Sequence, residues 1–253
     1  MLEGKKAIVT GAGSGLGQSI SVRLAAYGAT VIGTDVNEDG QAETKALAGG
    51  AFEALHHDVT KTQDRGAVFG AAFQEGICDI LVNNAGIADM TTIPDMSLEQ
   101  FRKSCAVNLL GPFAGTKAFI ERVRAAAGGQ PAQASIINIT SVAVKKTFPI
   151  YTAYGPSKAA LGNLTKALAV EMGRKGDFIR VNAIAPGPIR TPMTEGVDPT
   201  PWEERDHRML QLIPLKRYGE KNDIAEAAAF LASERSKFMT GYTVPVDGGW
   251  SDI

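Results

Sequence analysis

Short apolar runs alternate with helical repeats along the whole chain. Lys5 to Thr10, with Ile8 and Val9 at its centre, reads as a buried parallel strand. The helical spacing of Ile20, Leu24 and Ala25 follows. Further strands are expected at Ala29–Thr34, Phe52–His57, Asp79–Asn83, Ser135–Thr140, Ile179–Ile184 and near Val244, with His56-His57 ending the third. Helices are expected near Asp39–Leu47, Gln63–Phe73 and Asp223–Leu231. A longer one covers Leu98–Ala127, and Gly111-Pro112 marks a bend or junction in it. The small and polar run Ala125–Ala134 reads as a surface loop. Another helix starts close to Tyr154 and ends near Gly173; Pro156 suits its first turn, and Gly155 eases the restriction that proline places on its predecessor. Strands alternating with helices predict an α/β fold, a doubly wound Rossmann-type parallel sheet with helices on both faces. No repeat or linker divides residues 1–253, so a single domain is expected.

Two local patterns carry chemistry. Gly11, Gly13, Gly15 and Gly17 follow the first strand and precede the first helix. Strand, glycine turn and helix form the layout of a dinucleotide site, where backbone N–H groups approach a pyrophosphate. The spacing from Thr10 is T-G-x-x-x-G-x-G; Leu16 stands where G-x-G-x-x-G would need its third glycine. Asp35 ends the second strand, 18 residues after Gly17, where a carboxylate accepts hydrogen bonds from an adenosine ribose. It repels a 2′-phosphate, and Val36 and Asn37 bring no compensating cation, so NAD is expected rather than NADP. The second pattern is Tyr154 and Lys158, four apart and so on one helix face. A nearby cation favours phenolate, and moving a phenol from about 10 to about 7 needs roughly 4 kcal/mol, within reach of one close, partly desolvated cation helped by a second charge such as a cofactor's ring. Such a pair makes a general acid and base.

These residues and several others resemble the short-chain dehydrogenase/reductase family. The resemblance runs from Lys6 to Gly249. It rests on T-G-A-G-S-G-L-G at 10–17, N-N-A-G at 83–86, Asn108 in V-N-L, Ser141 in I-T-S, Tyr154 with Lys158, P-G-P-I-R-T at 186–191 and V-D-G-G at 246–249. Ser141 precedes Tyr154 by 13 residues; Tyr151 is a decoy, since Gly155 follows it by four. The resemblance implies a seven-stranded sheet of order 3-2-1-4-5-6-7. It implies Tyr154 as acid and base, Lys158 lowering its pKa and holding the nicotinamide ribose, and Ser141 holding the substrate oxygen. Asn108 would orient a helix carbonyl towards a water in a proton relay.

Cofactor contacts are implied for Ser14 and Leu16 in the glycine turn. Asp58 and Val59 would border the adenine, and Asp58 is equally suited to cap a helix. Asn84, Ala85 and Gly86 would lie beside the adenosine. Pro186, Gly187, Ile189 and Thr191 would lie on the carboxamide and pyrophosphate side. Family relatives are commonly homotetramers. Candidate contacts here are the helix around Gly111–Arg124, the helix after Tyr154 and the segment V-D-G-G-W-S-D-I.

Residues 187–221 form a long connection expected to act as a substrate lid, with Pro188, Pro192, Pro199, Pro201 and Pro214 among Met193, Trp202, Met209, Leu212 and Ile213. With Val142, Val144, Phe148 and Tyr151 they suggest a mainly apolar pocket for a secondary alcohol or ketone, cyclic or aryl-substituted, Val142 and Met193 touching it. The reading is an NAD-dependent alcohol dehydrogenase or ketoreductase. Its rivals are an NADPH-dependent 3-oxoacyl reductase, which Asp35 disfavours, and a non-catalytic NAD-binding regulator, which would not need Ser141, Tyr154 and Lys158.

Bulk properties narrow the field further. A net charge of −1 excludes nucleic-acid binding driven by bulk charge. No apolar run is long enough to cross a bilayer, and the N-terminus enters a strand at once, without a signal peptide. Two cysteines, Cys78 and Cys105, fit free thiols in a reducing cytoplasm. His56, His57 and His207 lack metal-ligand spacing, so no metal is expected.

Overall fold

Seven parallel strands pair in the order β3-β2-β1-β4-β5-β6-β7. A computed structural model describes residues 1–74, 76–195 and 210–252. The strands are β1 Lys6–Thr10, β2 Thr30–Asp35, β3 Phe52–His56, β4 Ile80–Asn83, β5 Gln133–Ile139, β6 Phe178–Pro186 and β7 Thr243–Val246. The helices are α1 Gly15–Ala26, α2 Glu38–Ala48, α3 Thr62–Gln74, α4 Leu98–Cys105, α5 Gly111–Ala126, α6 Tyr154–Arg174, the short α7 Pro192–Glu195 and α8 Lys221–Ala232.

Side chains alternate across each strand, so one sheet builds two cores. Ala7, Val9 and Val31 face Ile20 and Leu24 of α1 and Ile224 and Leu231 of α8. Ile8, Ile32 and Leu81 face Phe69 of α3, Phe119 of α5 and Met172 of α6. Continuous apolar runs are what a strand covered on both faces requires. The order reverses between β1 and β4, and open α/β sheets bind ligands at that point, beyond the carboxyl ends of the strands.

The expected elements are present, with three differences. His57 lies just past β3, because its ring turns inward towards Thr34, with Nδ1 3.1 Å from Oγ1. The expected loop Ala125–Ala134 contributes its first residues to α5 and its last to β5, and Ala132 is fully buried. Ala132 packs in the core formed by α3, α5 and α6, where a small side chain fits. The bend expected at Gly111-Pro112 is a π turn over Ala106–Leu110, immediately before that pair. Within the lid, Pro199, Pro201, Trp202, His207 and Met209 lie outside the described residues.

A buried polar row ties the sheet to the helix that carries Tyr154. Asn83 Nδ2 donates to Thr116 Oγ1 at 3.0 Å and to Asn138 Oδ1 at 2.8 Å, and Asn138 Nδ2 donates to Thr165 Oγ1 at 2.9 Å. Replacing Asn138 by alanine removes a partner that Asn83 and Thr165 share. A loss of about 2 kcal/mol is expected in urea unfolding.

Candidate active site

The glycine turn is held by main-chain contact. Gly11 has φ +70°, and a Cβ there would lie 2.8 Å from Ala85 Cα. A Cβ on Gly17 would lie 1.9 Å from the Gly11 carbonyl oxygen, so only hydrogen fits where α1 crosses the turn. Gly17 therefore acts by packing and does not line the cleft. Ser14 stands at the α1 N-cap without a side-chain cap, which leaves the first-turn N–H groups open to an anion.

Thr10 and Asn84 clamp the turn to the loop after β4. Thr10 Oγ1 accepts from the N–H of Asn84 at 3.0 Å and of Ala85 at 3.1 Å. Asn84 Nδ2 donates to the carbonyls of Thr10 at 2.9 Å and Gly11 at 3.1 Å. The side chain of Asn84, expected beside the adenosine, thus holds the turn.

Asp35 ends β2 with both carboxylate oxygens accepting backbone N–H groups, from Gly13 and from Asn37, each at 2.9 Å. These two bonds aim it over the cleft. Lone pairs remain on both oxygens for further donors. Asp58 sits three residues too early to cap α3 and closes a tight turn on Thr60, whose N–H it accepts at 2.9 Å.

Gly11, Ser14, Gly15, Leu16, Asp35, Val36, Asp58, Val59, Asn84, Ala85, Gly86, Thr191 and Met193 line a cleft of about 370 Å³. No lysine or arginine is among the described residues that line it. His57, absent from the expected contacts, also lines it. Its Nε2 has no partner among the described residues, and burial holds the imidazole down at about 4. An unfolded histidine titrates near 6.5, so between these values the unfolded chain binds a proton that the folded one refuses. Stability should therefore fall as pH drops from about 6.5 to 4, by up to about 3 kcal/mol. Urea midpoints at pH 7 and pH 4.5 check this, and His57→Gln should lose less over the same interval.

A second cavity of about 310 Å³ adjoins the first and shares Leu16, Asn84, Gly86, Thr191 and Met193 with it. It brings together Ser141, Val142, Tyr154, Lys158, Pro186, Gly187 and Ile189. Ser141 follows β5, and its Oγ accepts the N–H of Ala143 at 3.1 Å. Tyr154 opens α6, as expected, and Lys158 lies one turn on, 5.9 Å from the phenol ring centre. Gly155 needs no special conformation, since a Cβ there would make an ordinary 3.5 Å contact.

The expected depression of the Tyr154 pKa is not present in the protein by itself. Burial pushes the phenol up to about 12; hydrogen bonding by Ser141 pulls it part of the way back, and Tyr151 opposes that pull. Burial also brings Lys158 down to about 8. Its Nζ donates to the Ile139 carbonyl at 2.9 Å. Desolvation outweighs the charge attraction that a four-residue spacing suggests.

Asn108 is wholly buried and does not line the cavity. It lies in the π turn, where the i→i−4 ladder slips and main-chain groups are freed for other partners. Its Oδ1 accepts from Ile87 N–H at 2.9 Å, and its Nδ2 donates to the Ile87 carbonyl at 2.9 Å and to Ser157 Oγ at 3.1 Å. Ser157 Oγ in turn donates to the Tyr154 carbonyl at 2.7 Å. Asn108 thus links the loop after β4 to the start of α6. Ser157 is a link the sequence reading missed, although a serine three residues after a helical tyrosine is placed for such a back-bond.

Met90, Ile150, Tyr218 and Trp250 also line this cavity without having been expected. Trp250, expected at a subunit contact, turns inward and is 4% exposed. No short-range pattern announces these four, since each arrives from a different segment. No group of three or more potential metal ligands occurs among the described residues.

Comparison with known proteins agrees with this geometry. The family model described as enoyl-(acyl carrier protein) reductase matches residues 11–251. The chain is 40% identical over 253 residues to 3beta-hydroxysteroid dehydrogenase 1 of Eggerthella lenta, covering 98% of this chain and 94% of the relative. It is 38% identical over 258 residues to trans-4-hydroxycyclohexanecarboxylate dehydrogenase of Sinomonas cyclohexanicum, covering 97% and 92%. Among solved structures, levodione reductase superposes with a TM-score of 0.92 at 32% identity, covering 100% of this chain and 99% of that one. With its sheet order, glycine turn and Ser141–Tyr154–Lys158 cluster, the chain belongs to the short-chain dehydrogenase/reductase family of oxidoreductases.

Proposed function

We propose that this protein interconverts a secondary alcohol and a ketone with NAD(H), using Tyr154 as general acid and base. The observation that carries the reading is the continuity of two cavities, one ending at Asp35 and the other holding Ser141, Tyr154 and Lys158. A regulator needs the first alone. The residues fit a nicotinamide dinucleotide. Gly86 threads a gap where a Cβ would lie 3.2 Å from both Asn108 Oδ1 and Lys158 Nζ, and the open start of α1 suits a pyrophosphate. When bound, the dinucleotide supplies the hydride acceptor or donor.

The side chains supply the proton chemistry. In oxidation, Tyr154 Oη takes the proton of the carbinol hydroxyl while Ser141 Oγ donates a hydrogen bond to the same oxygen. Lys158 stabilises the phenolate from one turn away, moored on the Ile139 carbonyl. Asn108 and Ser157 hold the first turn of α6 in place. In reduction, Tyr154 returns the proton to the ketone oxygen.

Asp35, facing a cleft lined by no described cation, supports NAD over NADP. The apolar lining of the second cavity, including Met90, Val142, Phe148 and Ile150, supports a ring-bearing or aryl-bearing alcohol. The names of two relatives, a hydroxysteroid and a hydroxycyclohexanecarboxylate dehydrogenase, agree with ring alcohols. Assembly as a homotetramer and a cytoplasmic setting belong to the same reading. Leu110 and Phe113 expose apolar surface on the segment entering α5, Val170 does so on α6, and both cysteines are free thiols. No helix among the described residues is long and apolar enough to cross a membrane.

The test is a panel of secondary alcohols and ketones followed by NADH absorbance in both directions. Turnover of ring alcohols with NAD is the expected result. Activity confined to highly charged sugars or acids would contradict the apolar pocket.

A further inference from the structure

The catalytic cavity carries a row of four aromatic rings. Tyr154 meets Tyr151 edge-on with centroids 5.6 Å apart, and Tyr151 meets Phe148 edge-on at 5.3 Å. Phe148 then stacks on Trp250 at 5.7 Å, with planes 14° apart. The row begins at the reacting group and ends on the indole.

That last ring has little freedom to retreat. Asp247 accepts the N–H of Gly249 at 2.9 Å and of Ser251 at 2.8 Å, which closes a turn around Trp250. The turn lies flush on the segment beside it. A Cβ on Gly248 would lie 2.9 Å from Ile213 Cγ2, and one on Gly249 would lie 3.0 Å from Pro214 Cγ. Val142, Ala185 and Ile213 pack with the indole, and the Lys146 ammonium sits 5.4 Å from its ring centre. A ligand that needed Trp250 to move would have to shift main chain.

Size follows from this. At about 310 Å³ the cavity stands at the small end of the 300–1,000 Å³ range of ligand sites. That volume includes the space beside Lys158, Pro186 and Gly187, where the nicotinamide belongs if the dehydrogenase reading holds. Trp250 bounds the remainder at the end opposite Tyr154.

We propose that Trp250, held by the Asp247 turn and stacked on Phe148, limits the substrate to a secondary alcohol carried on a single alicyclic or aromatic ring. The inference rests on the function proposed above, because the space is counted after the nicotinamide. Trp250 is thereby a specificity-determining residue, acting at the end of the row opposite Tyr154.

Binding and turnover test it separately. Calorimetry with and without saturating NAD, the oxidised form that has no hydride to give a ketone, would compare cyclohexanone, the two-ring ketone 2-decalone and a four-ring 3-ketosteroid. NADH absorbance would follow turnover of the same compounds. The proteins are the wild type, Phe148→Ala, Trp250→Ala and Trp250→Phe. Phe148 is 36% exposed, so its variant keeps the fold if the Trp250→Ala protein does not. Trp250→Phe removes an indole N–H that has no partner among the described residues and keeps an aromatic wall.

The wild type should bind the one-ring ketone at least about tenfold more tightly than the four-ring one. Either alanine variant should shift that ratio about tenfold towards the larger ketones, and Trp250→Phe should keep the wild-type order. A wild type that prefers four rings, binds none of the ketones, or keeps its ratio in both alanine variants overturns the inference. Size-ranked binding without turnover would leave the size limit standing and count against the dehydrogenase reading instead.

Discussion

Replacing Tyr154 by phenylalanine is expected to lower kcat by about 10²–10⁴-fold, the range a positioned general acid or base contributes. The dissociation constant for the dinucleotide should change by less than about threefold. The separation is possible because the ring stays. Its edge contact with Tyr151 and its place beside Lys158 involve the ring, while the change removes the hydroxyl alone. Steady-state rates and calorimetry on the same variant check both halves. Unchanged turnover would transfer the proton step to another group. The ionisation of the phenol gives a second readout. Burial pushes it up to about 12 in the free protein, so an ultraviolet difference titration should show no Tyr154 phenolate near neutral pH. Saturation with NAD should move that ionisation downwards, since a cationic ring is the charge able to offset desolvation.

Asp35→Asn is the second change with a large expected effect. It removes one negative charge from the cleft and keeps an oxygen to accept the Gly13 N–H, which would otherwise be left without its 2.9 Å partner. The kcat/KM ratio of NAD to NADP should fall by about 10- to 100-fold, equivalent to roughly 1.4–2.8 kcal/mol of lost repulsion and lost ribose binding. Parallel assays with the two dinucleotides measure it. A wild-type protein that already favours NADP would defeat the charge argument at its root.

Much of the sheet was legible because each strand is a short apolar run punctuated by glycine or a polar turn. β1, β2 and the start of α6 lie within a residue of their expected places. The nucleotide cleft was legible for the same reason: Gly11, Gly15 and Asp35, which line it, follow one another along a single strand–turn–helix–strand unit. What escaped depends on distance along the chain. Trp250 meets Phe148 across about a hundred residues, and no local period reports such a pairing. Asn84 lines the cleft, as the resemblance implies, but the second task of its side chain, donating to the Thr10 and Gly11 carbonyls, joins segments about 74 residues apart and left no local sign. The ionisation of Tyr154 escaped for another reason. A four-residue spacing shows that a cation is near, but whether attraction or desolvation prevails depends on how far the helix sinks into the sheet.

The mooring of Lys158 on a main-chain oxygen at the end of β5 has a consequence for anyone reshaping this protein. The cation takes its place from the seating of a helix on a strand, and owes little to the side chains around the cavity. Exchanging residues on the cavity's aromatic side should therefore alter which molecules enter while the reacting end keeps its geometry. Shortening or lengthening the chain between Ile139 and Tyr154 would disturb both ends together, because Ser141, Phe148 and Tyr151 all lie on that stretch.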